Sequence, residues 1–359
     1  MTTAPTLTDS QHAWESTFRH DDLGRPLPPK FHRLLFVNAT ATPSAAGAAR
    51  LEAVLRRIDR RHPWGPEGLL FLVGWSPGWF ERHTDRTPPV NRAVKMARWE
   101  DPAIDDFDGF LHLAGDREEI VEEIAAGLFS DSDLDVREHL QLAETRTGFV
   151  GEGLPRERLA ELDIPEQSPL LLGFRSVLRG SQAPEPNITI ADGPYTGGTT
   201  AHVSRIELNV AQWHARPRDE QSALLYAPTI RAAEADAFHD DAPSDYDRAD
   251  RTVAEHGVIG HAQAAARARV GDVPLINRRD FATLDGGVPG THFVSLQREL
   301  RDFNNTRAIM NGADAAARNA RVGVRHRNGI NAFMNVTRRA TYIVPPRPLR
   351  SFPFVRGAR

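Results

Sequence analysis

Twice within its first 150 residues the chain alternates an apolar run of strand length with a helical segment, and that order limits the folds open to it. Phe31-His32-Arg33-Leu34-Leu35-Phe36-Val37 has the pattern of a buried strand. From Ala45 to Arg61 apolar residues fall at Leu51, Val54, Leu55 and Ile58, which is one helical stripe at i, i+3, i+4, i+7. Gly68-Leu69-Leu70-Phe71-Leu72-Val73-Gly74 is short enough for a central strand. It leads into Ser76-Pro77, a capping serine with proline at the first helical position. Phe110 to Leu113 predicts a third strand, Arg117 to Leu128 a helix with glutamates in its first turn, and Glu138 to Thr145 a fourth strand. This is the split βαβ order of a ferredoxin-like unit.

The second half opens after a linker from Leu154 to Ser168 that contains Pro155 and Pro165. Leu170 to Phe174 and Thr200 to Leu208 read as strands, and the Ala-rich stretch from Val253 to Arg269 as a helix. Thr291 to Leu296 reads as a strand followed by a helix from Arg298 to Met310. Ile330 to Val336 and Ala340 to Val344 close the chain. The first 30 residues are polar and end in Arg25-Pro26-Leu27-Pro28-Pro29, which predicts a flexible arm.

Composition removes whole classes of function. Lys plus Arg total 44 against 48 Asp plus Glu, a net charge of −4, which argues against nucleic acid or an anionic membrane as partner. No run of about 18 apolar residues exists to span a bilayer. The chain has no cysteine, so disulfides, thiol nucleophiles, zinc-thiolate sites, iron–sulfur clusters and thiolate-ligated haem are excluded. Neither a phosphate-binding glycine loop nor His-Glu-x-x-His is present. The N-terminal residues lack the basic and apolar regions of a secretory signal, which makes the cytoplasm the expected location.

Candidate chemistry centres on His261 in Gly260-His261-Ala262-Gln263-Ala264-Ala265, where small neighbours would let a bulky planar group approach. One imidazole on such a segment is the usual way to hold haem iron, although a lone histidine is also compatible with a satisfied structural role. His256 falls about 140° away around a helix, so the two do not form a metal-binding pair. Arg278, after Pro274-Leu275-Ile276, can present a permanent positive charge to a buried cavity; neutralising nearby carboxylates is the plainer alternative. His239-Asp240-Asp241 lies in an acidic stretch from Glu234 to Asp250 and reads as solvated loop.

Together these pieces resemble the dye-decolorising peroxidases, haem proteins of two ferredoxin-like domains. Leu70 to Phe80 is similar to the family's "apolar strand, VGFGP, LF" segment, and Thr147-Gly148-Phe149-Val150-Gly151-Glu152-Gly153 stands at its GFxDG motif. Gly197-Gly198-Thr199, Val203 to Leu208 and Trp213 resemble its "GGSY, VxRI, W" stretch, followed by Arg218-Asp219-Glu220-Gln221. Gly290 to Glu299, then Phe303, resembles the strand near its C-terminus, and the likeness runs from Arg33 to Pro345.

The resemblance implies an α+β fold with antiparallel sheets flanked by helices, of the dimeric α+β barrel type. It divides into a flexible arm over 1–30, an N-terminal ferredoxin-like domain over 31–160, and a C-terminal ferredoxin-like haem-binding domain over 161–359. It also implies haem b, with His261 as iron ligand, Arg205 as a cofactor-binding residue, and Glu299 as a hydrogen-bonding partner of the imidazole. Arg278 takes the place of the distal arginine and Asp280 a position often held by Asn. The family's distal Asp corresponds to Gly151 or, with a shift of one, to Glu152, which could then serve as acid–base. The usual Asn-Pro after the histidine is replaced by Ala266-Arg267. These departures indicate a divergent branch. The implied activity is oxidation of a small organic substrate by hydrogen peroxide; a haem carrier, sensor or scavenger is the alternative, and a haemless scaffold a third reading. Implied partners exclude nucleic acid and membrane, and homo-oligomerisation stays open.

Overall fold

The computed structural model describes residues 7–22, 24–175, 181–237 and 249–355. Eight principal strands, all paired antiparallel, carry the architecture: β1 (Phe31–Ala39), β2 (Leu70–Trp75), β3 (Gly109–Gly115), β4 (Leu140–Phe149), β5 (Thr199–Leu208), β6 (Phe281–Thr283), β7 (Gly290–Gln297) and β8 (Met334–Val344). The fold is mixed α+β. Hydrogen bonding runs β7–β5–β8–β2–β3–β1–β4–β6 and returns from β6 to β7, so the two halves close into one barrel-like ring. Each seam between the halves is a single pair, Ile343 with Trp75 and Ala282 with Phe149.

Local sequence explains the elements. Helix α1 (Ala45–Arg61) begins where the Ser44 hydroxyl accepts from the Gly47 amide, and buries Leu51, Leu55 and Ile58 against the sheet. Helix α2 (Pro77–His83) is capped by Ser76, and α3 (Glu118–Gly127) buries Ile120, Val121 and Ile124. Inside the ring, Leu34 and Phe36 of β1 face Phe110 and His112 of β3. A side chain at Gly74 would meet the Phe110 ring at 2.4 Å, so β2 leaves that space to the aromatic.

Three stretches differ from the sequence reading. Leu170 to Phe174 is a turn rather than a strand: Gly173 takes φ +79°, and Leu171 and Phe174 serve as individual core contacts. The single helix expected over Val253–Arg269 is two, α4 (Ala249–His256) and α5 (His261–Ala266). Gly257 at φ +62° ends the first, and Ile259 then pairs with Asn328 before the second begins. The two closing strands are one, β8, whose register slips between Val336 and Arg338. The N-terminal segment is packed over the part described: Trp14 is fully buried, and the Gln11 amide donates to the carbonyls of Val73 and Pro345. His239-Asp240-Asp241 lies outside the described residues.

Candidate active site

Strand alternation sorts the charged residues of the C-terminal strands onto two faces. Arg279 and Phe281 turn into the ring, where Arg279 bonds Glu185 at 2.8 Å and Phe281 stacks on His32 at 4.5 Å. Arg278 therefore looks outward, paired in register with Ser295, and Asp280 shares its face by alternation. On the same outer face stand His202 and Ser204 of β5 and Arg339 of β8. Helix α6 (Leu300–Met310) covers them, its Phe303 stacked on the His202 ring at 3.8 Å.

His261 reaches this face from α5, which packs against α6. Two close backbone approaches fix its place. A Cβ at Gly260 would lie 1.8 Å from the Tyr226 carbonyl oxygen, and one at Gly329 would lie 3.1 Å from the His261 Cα. The Gly260 amide donates to the Gln263 side chain at 3.1 Å, which closes the start of the helix. His261 lies deep in the packed chain, yet the residue keeps a partly accessible surface. Burial, joined by the charges of Arg278 and Arg307, pushes its pKa down to about 4. Its ring has no hydrogen-bond partner among the described residues, and neither has the Arg278 guanidinium.

The remaining expected residues are placed as follows. Arg205 points to the opposite face of β5, where it donates to the Asp285 carbonyl at 2.6 Å. Glu299 stands just before α6 at the surface, its side chain paired with Arg301 at 2.8 Å. Glu152 is about half exposed and paired with Arg175 at 2.8 Å. The structure thus brings together His261 and Arg278, with Asp280 on the same face, and leaves Arg205 and Glu299 elsewhere. Among the described residues no group of three metal-ligating side chains occurs.

A buried polar cluster beside His261 has no counterpart in the sequence reading. Glu100 binds Arg339 through both oxygens at 2.9 and 3.0 Å, and Arg339 reaches His202 Nε2 at 3.1 Å. Burial, then the charges of Arg339 and Arg307, holds the His202 imidazole well below its ordinary value. Arg307 completes the group. The one signal available in the sequence is Arg338-Arg339 running straight into the apolar Ala340-Thr341-Tyr342-Ile343-Val344, a charge inside a buried strand.

The model of a family described as "Family of unknown function (DUF7405)" matches residues 29–346. No curated protein matches the chain. Solved structures do. A dye-decolorizing protein from V. cholerae is 15% identical, with 91% of this chain and 97% of that chain covered and a TM-score of 0.61. A dye-decolorizing peroxidase from Bacteroides thetaiotaomicron VPI-5482 is 14% identical over 94% and 99%, with a TM-score of 0.60. A Rhodococcus jostii RHA1 DypB variant in complex with heme is 15% identical over 96% and 99%, with a TM-score of 0.62. Over nearly the whole chain the fold is that of the dye-decolorising peroxidases, at 14–15% identity.

Proposed function

The chain belongs to DUF7405, a family of unknown function, and from that membership and its peroxidase-type fold we propose a haem-dependent oxidoreductase that uses hydrogen peroxide to oxidise a small organic substrate. The observation that carries the reading is His261: a buried imidazole, held neutral, unpartnered among the described residues and faced by arginine. The donor set fits haem b. A neutral imidazole is the form that ligates iron, and unpaired guanidinium groups suit an anionic macrocycle. When bound, haem supplies the redox centre that passes electrons from the organic substrate to peroxide.

The chain's own residues would then divide the work. His261 offers a ring nitrogen, and with a pKa near 4 it needs no deprotonation at neutral pH. A guanidinium only donates hydrogen bonds, so Arg278 would orient peroxide and stabilise developing negative charge rather than accept a proton. A carboxylate must do that. Asp280 lies on the Arg278 face; Glu152 would have to exchange its ion pair with Arg175 for a bound oxidant. Replacement of the distal acid position by Gly151, with Glu152 so engaged, favours the second reading, a haem carrier, sensor or scavenger of low turnover.

Arg278→Ala separates the two. In the haem-loaded protein it should keep the absorption band of the cofactor and lower the rate of reaction with peroxide by about tenfold or more. A variant reacting as fast as its parent removes Arg278 from the chemistry and leaves the carrier reading.

A further inference from the structure

Beside His261 two permanent cations share one carboxylate. Glu100 Oε1 accepts from the amides of Met96 at 2.6 Å and Ala97 at 3.0 Å, and both its oxygens are bonded by Arg339. Arg307 is left with the remainder. Its Nη2 stands 3.5 Å from Glu100 Oε2 without hydrogen-bond alignment, and neither Nε nor Nη2 has a hydrogen-bond partner among the described residues. The Trp99 ring lies 6.0 Å from its guanidinium carbon, a weak contact at that range. Arg307 is nevertheless only 6% exposed. A buried guanidinium without its own counter-charge is among the costliest features a fold can keep, and such groups call for an anion.

The placement says where that anion would sit. Helix α6 carries Arg307 against α5, and α5 begins with His261. Arg278, the other guanidinium near the imidazole, is also without a side-chain partner among the described residues. We propose that Arg307 anchors a carboxylate group of the ligand that binds over His261. The inference rests on the site assigned above and adds the charge class of its occupant. Two sources share this chemistry, a propionate of the haem and a carboxylate on the organic substrate. Guanidinium and carboxylate form paired N–H···O bonds, stronger than neutral ones.

Haemin, its dimethyl ester and benzoate distinguish the sources when titrated into full-length wild-type protein and Arg307→Gln. If a propionate is held, wild type binds haemin at least about tenfold more tightly than the ester, and the variant loses that preference. If a substrate carboxylate is held, the haemin preference is the same in both proteins. The affinity of the haemin-loaded protein for benzoate then falls at least about tenfold in the variant. A variant that changes neither quantity overturns the proposal. Should wild type take up neither haemin nor ester, the haem reading fails by itself. Benzoate binding to the haem-free proteins then decides: a loss in the variant keeps Arg307 as the anchor, and equal or absent binding ends it. Thermal unfolding of ligand-free Arg307→Met supplies a readout independent of ligand. Its melting temperature should rise, because a buried cation that only shares a counter-charge is gone; a fall would make Arg307 a structural partner of Glu100 and contradict the proposal.

Discussion

Gly260 shows how much of the site is set by single residues. The carbonyl of Tyr226 occupies the place where its side chain would stand, so the backbone entering α5 is held directly against the Tyr226 backbone. Gly260→Ala should destabilise the protein by about 2 kcal/mol or more, measured by urea unfolding, and displace the His261 ring. A loss below about 0.5 kcal/mol would show that the segment can move aside, and with it the imidazole. His261 and Arg278 are legible in the sequence because small neighbours and an adjoining apolar run mark them. Arg307 is not, since its meaning depends on Glu100 being already claimed by Arg339, more than 200 positions away from Glu100 in the chain. Arg205 and Glu299 sit in matching motifs, yet strand alternation and a surface ion pair with Arg301 turn them away from His261.

Among the elements, those with a strong period and a cap come straight from the sequence. Helix α1 has the expected bounds, Ala45–Arg61, because an apolar stripe, a Ser cap and terminal arginines agree. The Ala-rich stretch misleads for the opposite reason. Alanine propensity spans the break, while the pairing of Ile259 with Asn328, a contact about 70 residues distant, overrides it. That break places His261 at a helix start rather than mid-helix. The N-terminal segment is similar: its polar composition suggests an arm, but Trp14 and Phe18 insert into the core. Its indole donates to the Gln11 carbonyl at 2.8 Å, and the ring lies 5.3 Å from that of His112. Trp14→Ala should cost about 3–5 kcal/mol by chemical denaturation. A cost under about 1 kcal/mol would mean that the segment docks without contributing to the core.

For the whole molecule, the closed ring buries histidines that the mechanism does not use. His32 donates from Nε2 to the Pro29 carbonyl at 2.8 Å, so its Nδ1 accepts from His112 Nε2 at 2.9 Å. Burial pushes His32 down to about 4 and His12 to about 3, and lowers His112 and His292 as well. Unfolding returns each to its ordinary value near 6.5. As pH falls below about 6.5, the unfolded chain therefore takes up protons that the folded chain refuses, and stability declines. Each such histidine contributes a slope of up to about 1.4 kcal/mol per pH unit. For His32 and His261 the decline levels off near pH 4, where the folded form protonates too. Urea unfolding at pH 7.5, 6 and 5 should show falling midpoints at constant slope. Midpoints that hold steady across that range would mean that these rings titrate freely in the folded protein.

The N-terminal half of the ring is foreshadowed by the doubled strand–helix–strand order, whereas the seams to the other half are not, because each rests on one residue pair. What the ring and its covering helices present at His261 is the centre of the functional reading. Absorption spectra of the protein produced with ample haem, beside those of His261→Ala, test it most directly. A Soret band in the parent and its loss in a variant that still folds are expected. A parent without the band, or a variant that keeps it unchanged, would contradict haem ligation by His261.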